Sequence, residues 1–476
     1  MKILTIGPWF SPHTQRPIRW LCENGFEVCF LGDNNPFPTE MPGYSFSIFP
    51  NTNDVIEAIS RLQSIYNQFR PDVVHVHWID ARAWLCVQAG LKPLVLSVWG
   101  SDINDFFIPG CDTSFRLGVG ETLSGADLTI IDAPTMAHKC SVLAGKEIAT
   151  TFLHLGFDTS RFNRDYEQAA SNWRERLKIN QDAVVLLSPR GWGANNGHHK
   201  ILEAFNNALP KFENDAVLLF KIYNRISFAD NLIYEMEIRR RAIELGISDK
   251  IRWMENVPDN QVPEIFAASD IVINYPKKDT LPITLMEAAA SGCCTITALL
   301  PSYLETFIEH HLRCFTPGCD DELVAAMIEL VNMSPLQRKT LALGAQQEVI
   351  NCFDEKMYID GITNIYKALA NGKVKNYTKY NLNNHFKNGN TVQKNAIWQN
   401  FIEVMLRQSV DAYLADNNDF TLDLLEYIAL DRRNYTLSNN YYFLKAKVLL
   451  ALGRVDEALA QMRKGQIVLS QIQNHH

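Results

Sequence analysis

Two acidic residues are spaced so that the segment between them could bind a phosphorylated ligand. Asp279 and Glu287 lie eight positions apart in DTLPITLMEAAASG (279–292), with Pro282 between them. Proline is well tolerated where a helix starts, because its missing N–H would be unpaired there, so the pattern predicts a helix that begins near Pro282. Its first backbone N–H groups then point outward and suit a diphosphate: those of Ile283, Thr284 and Leu285. Taken alone, the segment also fits a buried structural helix.

Short β-branched runs alternate with amphipathic segments along most of the chain. The first series predicts strands at 2–7, 27–32, 72–78, 93–100 and 127–132, with a helix at 54–69. The second series predicts strands at 183–191, 216–223, 250–255, 270–276 and 294–299, and helices at 199–209, 234–246, 261–269 and 283–292. Such alternation is typical of βαβ units with a parallel sheet. The predicted fold class is therefore α/β, with two tandem Rossmann-like, doubly wound domains that bind ligands beyond the carboxyl ends of their strands.

The composition changes after the second series. The segment 371–395 is rich in Asn, Lys and Gly and lacks an apolar period, so it is predicted to be a linker. Beyond it, 441–469 resembles a tetratricopeptide helix pair, with Ala446 and Ala458 where helices approach closely and Gly453 at the turn. One repeat cannot bury its own faces, so this α-helical extension caps the protein, dimerises or binds a partner protein. The predicted regions are 1–160, 161–370, 371–395 and 396–476.

Composition and charge limit the classes of function. The 476 residues are 47% hydrophobic and 21% charged, as in a globular protein of two or three domains. A net charge of −8 argues against a nucleic-acid partner, which usually carries a clustered basic excess. No segment approaches the roughly 20 apolar residues of a membrane span, and the start lacks a signal-peptide pattern. A cytoplasmic location is predicted, with peripheral contact at the inner membrane face left open.

The ten cysteines are scattered along the chain and form no metal-binding pattern. No C-x-x-C motif is accompanied by a partner histidine, so neither a zinc site nor a disulfide framework is predicted. Four of them lie within apolar segments: Cys22, Cys29, Cys86 and Cys352. The cysteines are expected to be reduced core residues.

The Asp279 segment resembles the donor motif of glycosyltransferase family 4, also called group 1, a Glu-x7-Glu pattern followed by Ala and Gly. Three further segments are similar to that family's pattern: HLGFDTSRF (154–162), SPRGWGANNGHHKILEAF (188–205) and RWMENVPDNQVPEIFAASDIVINYP (252–276). The resemblance is good over residues 150–370 and moderate over 1–150. It implies the GT-B fold, with an acceptor domain followed by a donor domain. It also implies a metal-independent reaction that retains the anomeric configuration.

The resemblance further implies which residues contact the donor. Arg190 falls on the family's diphosphate-binding arginine, and a planar guanidinium suits two-point contacts with phosphate. Glu287 falls on the ribose ligand. Asp279 takes the place of the family's first glutamate, which contacts the donor sugar, and its shorter side chain implies a shifted or different sugar.

One cation of the family's pattern is missing. The phosphate-binding lysine falls on Asn196, which is still expected to contact the donor although the substitution removes a positive charge. Lys221, at the end of the next strand, and Arg225 are candidate substitutes. Alternatively, the donor carries a single phosphate, as a CMP-sugar does.

Aromatic and titratable residues follow the predicted strands of the first domain. His75 and His77 alternate on one strand, so they share a face, and His77 is nearer the carboxyl end. His75 is expected to be structural, and His77 is expected to face a ligand cleft beyond the carboxyl ends of the strands. Trp99 could stack on an acceptor sugar, and Asp102 could hold or deprotonate an acceptor hydroxyl. His13, in the first loop, is expected near the donor phosphates and the acceptor.

The sequence therefore predicts a retaining glycosyltransferase that moves a sugar from a nucleotide-sugar to a glycan, a lipid-linked acceptor or a protein. The nucleotide-sugar is a substrate, so neither a cofactor nor a metal is expected. Two alternatives stay open: a catalytically inactive scaffold subunit with the GT-B fold, and a nucleotide-sugar epimerase or sugar phosphorylase. An epimerase would change the sugar without an acceptor, and a scaffold would bind no nucleotide.

Overall fold

The structure is a computed structural model that describes residues 1–37, 40–105, 113–133, 135–162, 165–221, 228–255, 257–303, 306–372, 425, 439–452 and 454–473. These residues divide into two units. The first unit comprises Met1–Leu153 together with the described residues from Ile359 onward, and the second unit comprises His154–Tyr358. The sequence analysis placed its boundaries at residues 160 and 370.

The first unit contains a parallel sheet of seven strands, counted over the described residues. Its strands are β1 (Lys2–Ile6), β2 (Glu27–Gly32), β3 (Tyr44–Ile48), β4 (Val73–His77), β5 (Leu94–Ser97), β6 (Leu128–Ile131) and β7 (Thr150–Phe152). They are arranged in the order β3-β2-β1-β4-β5-β6-β7. Its first helices are α1 (Pro12–Glu23), α2 (Val55–Phe69), α3 (Ala81–Gln88), α4 (Ser101–Asn104), α5 (Thr113–Gly125) and α6 (Met136–Ala144). Side chains cap several of them; Asp54, for example, accepts the Glu57 N–H at the start of α2.

The second unit contains a parallel sheet of six strands, again counted over the described residues. Its strands are β8 (Val184–Ser188), β9 (Ala216–Lys221), β10 (Ile251–Met254), β11 (Ile271–Asn274), β12 (Cys294–Ala298) and β13 (Arg313–Phe315). They are arranged in the order β10-β9-β8-β11-β12-β13. Its helices are α7 (Glu167–Arg176), α8 (His198–Ala208), α9 (Phe228–Glu244), α10 (Val262–Ala267), α11 (Ile283–Ala290), α12 (Phe307–His311), α13 (Asp320–Asn332) and α14 (Pro335–Cys352). Helix α15 (Glu355–Ala370) includes the unit boundary at Tyr358.

The predicted α/β fold with two doubly wound parallel sheets is confirmed. Every strand and helix that the periodicity predicted in the two series is present, within three residues at each end except that α9 begins six residues before the predicted start at 234. Three strands were not predicted, namely β3, β7 and β13, and each lies at the edge of its sheet. Edge strands face solvent on one side, so their side chains need not form the long apolar runs that reveal central strands.

The two ends of the second unit meet at a parallel bridge between Phe157 and Asp354. Phe157 N–H donates to the Phe353 carbonyl over 3.1 Å, and Glu355 N–H donates to the Phe157 carbonyl over 3.0 Å. The preceding Gly156 has φ +68°, and a Cβ atom there would lie 2.9 Å from the Phe353 carbonyl oxygen. The segment that enters the second unit therefore requires glycine at this position.

The C-terminal part of the chain contains two described helices, α16 (Asn439–Ala451) and α17 (Val455–Gln473). Ala446 and Ala458 are buried, as expected where two helices approach closely. The helices predicted within 441–469 are thus present, whereas their likeness to a tetratricopeptide repeat stays a prediction. The predicted linker beyond residue 372, Gly453, and the start of the extension apart from Leu425 lie outside the described residues.

The described residues contain neither a membrane-spanning helix nor a cluster of metal-binding side chains. No helix among them is long and apolar enough to cross a membrane. The same residues contain no group of three His, Cys, Asp or Glu side chains placed to hold a metal ion. The nine described cysteines are free, and most are buried. Cys352, expected in the core, is instead exposed at the last position of α14, where the helix ends at the surface.

Replacing Gly156 with alanine is expected to destabilise the second unit by about 2–4 kcal/mol, because left-handed backbone strain adds to a clash with the Phe353 carbonyl. The matched control is Gly246→Ala, which has φ +71° and no atom within 4 Å of a new Cβ. That control should be destabilised by the backbone strain alone, by about 1–2 kcal/mol. Urea denaturation of both full-length variants measures the difference, and equal losses would contradict the tight approach at Gly156.

Candidate functional site

A small cavity of about 50 Å³ lies at the carboxyl edge of the second sheet. It is lined by Leu187 at the end of β8, by Lys221 at the end of β9, and by one face of α10. Thr284 and Glu287, from the start of α11, complete its polar lining. The structure therefore brings three of the predicted donor contacts together: Lys221, Thr284 and Glu287.

Helix α11 begins where the sequence predicted, with Pro282 as the residue before its first turn. No side chain caps this N-terminus within the described residues. One of the three expected outward amides is already used, because Leu285 N–H donates to the Pro282 carbonyl over 3.1 Å. The expectation for Leu285 was therefore wrong, since the first turn closes onto itself there. Ala288–Ala290 are fully buried, which lets the helix lie close to the sheet.

Lys221 and Glu287 share the cavity as a cation and a carboxylate. Burial lowers the pKa of the Lys221 ammonium, while the negative charges of Glu287 and Asp259 raise it. Burial of a charged group is tolerated when an opposite charge lies close by. Lys221 is thus placed where it can supply the positive charge that Asn196 lacks.

Asn196 closes its own loop. It lies in the short 3₁₀ turn Ala194–Asn196 after β8, and its Nδ2 donates to the Gly191 carbonyl over 2.8 Å. Its Oδ1 is buried and has no hydrogen-bond partner among the described residues. One amide N–H of Asn196 is therefore used within the loop, and its predicted contact with the donor stays a prediction.

Arg190 and Asp279 form an ion pair at the same edge of the sheet. Arg190 Nη2 lies 3.0 Å from Asp279 Oδ2, and the two side chains are 21% and 14% exposed. Asp279 Oδ1 accepts the Thr280 N–H over 3.0 Å, and the Tyr303 hydroxyl donates to Oδ2 over 3.2 Å. Burial raises the pKa of Asp279, whereas the Arg190 charge lowers it. Arg190 is thus directed at Asp279, and it is Pro189 beside it that lines the cavity.

His198 and Trp192 support the Arg190 loop, and neither was identified as functional from the sequence. The His198 ring Nε2 bonds the Arg190 carbonyl over 3.2 Å, and its ring lies 4.5 Å from that of Trp192. Burial lowers the pKa of His198 to about 4, so the ring is neutral at ordinary pH. The signal available in the sequence was the concentration of rings in RGWGANNGHH, directly after a buried strand.

In the first unit, aromatic rings form a column at the carboxyl edge of the sheet. His13 stacks on Trp99 with ring centroids 4.6 Å apart, and Trp99 stacks on His77 at 6.0 Å. His77 in turn lies 4.0 Å from His75. The structure therefore places His13, His77 and Trp99 side by side, although His13 lies in the first turn of α1 and not in a loop. Their predicted contacts with the ligands stay predictions.

The two strand histidines differ in their hydrogen bonds. His75 bonds the Tyr366 hydroxyl over 2.6 Å and the Ser97 hydroxyl over 2.7 Å, as expected for a structural residue. Both ring nitrogens of His77 are buried without a hydrogen-bond partner among the described residues. Burial lowers the pKa of His77 well below its usual value, and the neighbouring His75 contributes a smaller lowering. His77 is therefore neutral, and one of its ring nitrogens is able to accept a hydrogen bond.

Asp102 holds the loops that follow β4 and β5. Its Oδ2 accepts the Ile79 N–H over 3.1 Å, and its Oδ1 accepts the Trp99 N–H over 3.0 Å. The side chain is buried, and burial raises its pKa to about 7, against the lowering effect of the backbone N–H groups. This geometry favours a loop-holding role over the predicted role of Asp102 as acceptor base. Trp99 itself is partly exposed, but His13 covers a face of the indole.

Two protein-family models match this chain. Residues 170–346 match the model described as "Glycosyl transferases group 1", and residues 2–130 match the model described as "Glycosyl transferase 4-like". The first match contains the cavity and the Arg190–Asp279 pair, and the second contains the ring column.

Curated relatives share about a quarter of their residues with the matched part of this chain. Mannosylfructose-phosphate synthase of Agrobacterium fabrum is 23% identical over 30% of this chain and 31% of its own length. D-inositol 3-phosphate glycosyltransferase of Streptosporangium roseum is 22% identical over 61% of this chain and 68% of its own length.

Solved structures share the fold. Sucrose-phosphate synthase from Thermosynechococcus elongatus is 12% identical, with a TM-score of 0.64 over 78% of this chain and all of that one. Anabaena HepE in complex with UDP is 16% identical, with the same TM-score and coverage. At these identities the likeness shows the GT-B fold alone.

The second unit is expected to lose stability in acid because His154 and His198 are buried in neutral form. Burial lowers both pKa values to about 4. The unfolded chain binds these protons near pH 6.5, so the stabilisation is present above about pH 6.5 and is lost as the pH falls toward 4. By about pH 5, each histidine should cost roughly 2 kcal/mol of unfolding free energy.

Urea denaturation at neutral and acidic pH measures this loss. His154→Gln should show a smaller loss than the wild type over the same pH range, because one titrating group is removed. An unfolding free energy that does not change between the two pH values would contradict the burial of these rings in neutral form.

Proposed function

This chain belongs to the group 1 glycosyltransferases, and from that premise we propose that it transfers a sugar from a nucleoside diphosphate sugar bound in its second unit. The observation that carries the proposal is the convergence of Lys221, Thr284 and Glu287 on one cavity. This cavity lies beside the loop of Arg190, at the edge of a parallel sheet where such folds bind nucleotides.

The charges around the cavity favour a diphosphate over a single phosphate. Among the described residues, Lys221 places a cation within the cavity and Arg190 places another beside it. The first amides of α11 add partial positive charge, as helix N-termini do at many phosphate sites. The Glu287 carboxylate is proposed to accept hydrogen bonds from the ribose hydroxyls. A UDP-sugar is the proposed donor, supported by the complexes of Anabaena HepE with UDP and with UDP-glucose.

The proposed reaction retains the anomeric configuration and uses side-chain cations in place of a metal. The bond between the anomeric carbon and the diphosphate oxygen breaks, while the acceptor oxygen forms a bond on the same face. The leaving phosphate accepts the proton of the acceptor hydroxyl. Negative charge grows on that phosphate, so Arg190 and Lys221 stabilise the transition state more than the bound donor.

The acceptor is proposed to be a glycan that contacts the first unit. Trp99 is partly exposed beside His13, and His77 has a neutral ring able to accept a hydrogen bond. Lipid-linked and protein-linked glycans, and peripheral membrane contact, are variants of this proposal. Product analysis by mass spectrometry with each acceptor class separates them, and a change of the sugar without any acceptor would favour an epimerase.

Lys221→Met is expected to weaken UDP binding by about ten-fold or more, because one charge-assisted contact to phosphate is lost. Calorimetry on the full-length protein measures the affinity, with CMP as the single-phosphate comparison. The matched control is Lys250→Met, since Lys250 pairs with Asp215 on the surface before β10, at the amino edge of the same sheet.

The control should bind UDP as tightly as the wild type. Equal affinities of wild type and Lys221→Met for UDP would exclude Lys221 from the donor site. A wild type that binds no nucleoside diphosphate at all would favour the inactive scaffold.

A further inference from the structure

We propose that Asp279 is a positioning residue that aims Arg190 at the donor phosphates, and that it is not a ligand of the transferred sugar. This inference rests on the proposed function, because it describes how the same site holds the diphosphate. It departs from the sugar-binding role that the resemblance implied for this position. The evidence is the set of contacts that already occupy the Asp279 carboxylate.

A chain of hydrogen bonds runs from Asn274 through Tyr303 to the ion pair of Asp279 with Arg190. Asn274, the last residue of β11, donates from Nδ2 to the Tyr303 hydroxyl oxygen over 3.3 Å. Tyr303 donates to Asp279 Oδ2 over 3.2 Å, and Arg190 Nη2 lies 3.0 Å from the same oxygen. Burial and the Asp279 charge hold the pKa of Tyr303 well above its usual value, so its hydroxyl stays a donor. The series therefore links the ends of β8 and β11 to the segment after β12.

The backbone of Asp279 is held as firmly as its side chain. The Ser302 hydroxyl donates to the Asp279 carbonyl over 2.8 Å. The Asp279 Oδ1 accepts the Thr280 N–H over 3.0 Å. A carboxylate has about four acceptor positions, and three are used here by Thr280, Tyr303 and Arg190. With its side chain only 14% exposed, Asp279 has little capacity left for a sugar hydroxyl.

The same contacts explain what Arg190 gains. An arginine side chain that moves freely must be ordered before it binds phosphate, and this ordering costs conformational entropy. Asp279 fixes the guanidinium through Nη2 and leaves its other N–H groups for a ligand, since guanidinium has five donors in a rigid plane. Tyr303, fully buried, fixes the carboxylate in turn. Arg190 is thus oriented before the donor arrives.

Binding of UDP and of UDP-glucose to the full-length protein distinguishes the two roles, because UDP lacks the transferred sugar. If Asp279 acts through Arg190, Asp279→Asn should weaken both ligands by the same factor, about ten-fold. Asp279→Glu, which keeps the charge, should recover most of the affinity. A variant that binds UDP normally and loses affinity only for UDP-glucose would show a direct sugar contact and overturn the proposal.

A second comparison tests the coupling with Arg190. In an Arg190→Gln background, Asp279→Asn should cause no further loss of UDP affinity, because the residue that it positions is already absent. Additive losses in the double variant would overturn the positioning role. Tyr303→Phe should weaken both ligands in the same proportion but less, about three-fold. This variant also tests the proposal if Asp279→Asn does not fold.

The chain offers a matched control in the same unit. Asp320 accepts the Tyr275 hydroxyl over 2.7 Å and pairs with Lys200 over 2.6 Å, so it repeats the Tyr–Asp–cation arrangement away from the cavity. Asp320→Asn should leave both affinities unchanged. A wild type that binds neither UDP nor UDP-glucose would contradict the proposed function itself. Normal wild-type binding with an unaffected Asp279→Asn variant would contradict only the positioning role.

Discussion

The parallel direction of the strands in the second sheet is the constraint on which the donor site depends. Strand β8 ends two residues before Arg190, β9 ends at Lys221, and β11 ends shortly before Asp279. In a parallel sheet these ends meet at one edge, so residues far apart in the chain become neighbours. Helix α11 then returns from that edge with its first turn beside the cavity.

Charge at this edge is balanced locally before any ligand binds. Arg190 is paired with Asp279, and the Lys221 ammonium lies within the influence of Glu287. A buried cation without such a partner would be costly, since desolvation penalises the charged form. Each carboxylate therefore serves the folded state as well as the proposed site. Each of the two cations is thus held by its own carboxylate, an arrangement that suits two phosphates better than one.

The first unit presents a different kind of chemistry. His75 and His77 are buried and neutral, and Asp102 is bonded to backbone amides beneath the Trp99 loop. Polar but uncharged rings at a strand edge are suited to hydroxyl groups, which both donate and accept hydrogen bonds. The contrast between the ion pairs at the edge of the second sheet and the neutral histidine rings at the edge of the first fits the proposed phosphate-bearing donor and glycan acceptor.

The sequence by itself determined the strand and helix order and the start of α11 at Pro282, because these depend on local periodicity and on spacing within one segment. The candidate donor contacts Arg190, Lys221 and Glu287 came instead from the resemblance to a known family. Only the tertiary structure decided the partners of those residues. Arg190 meets Asp279, and Tyr303 joins them, because loops from three strands converge. Pairings of this kind depend on loop conformation between distant segments, which no local pattern encodes.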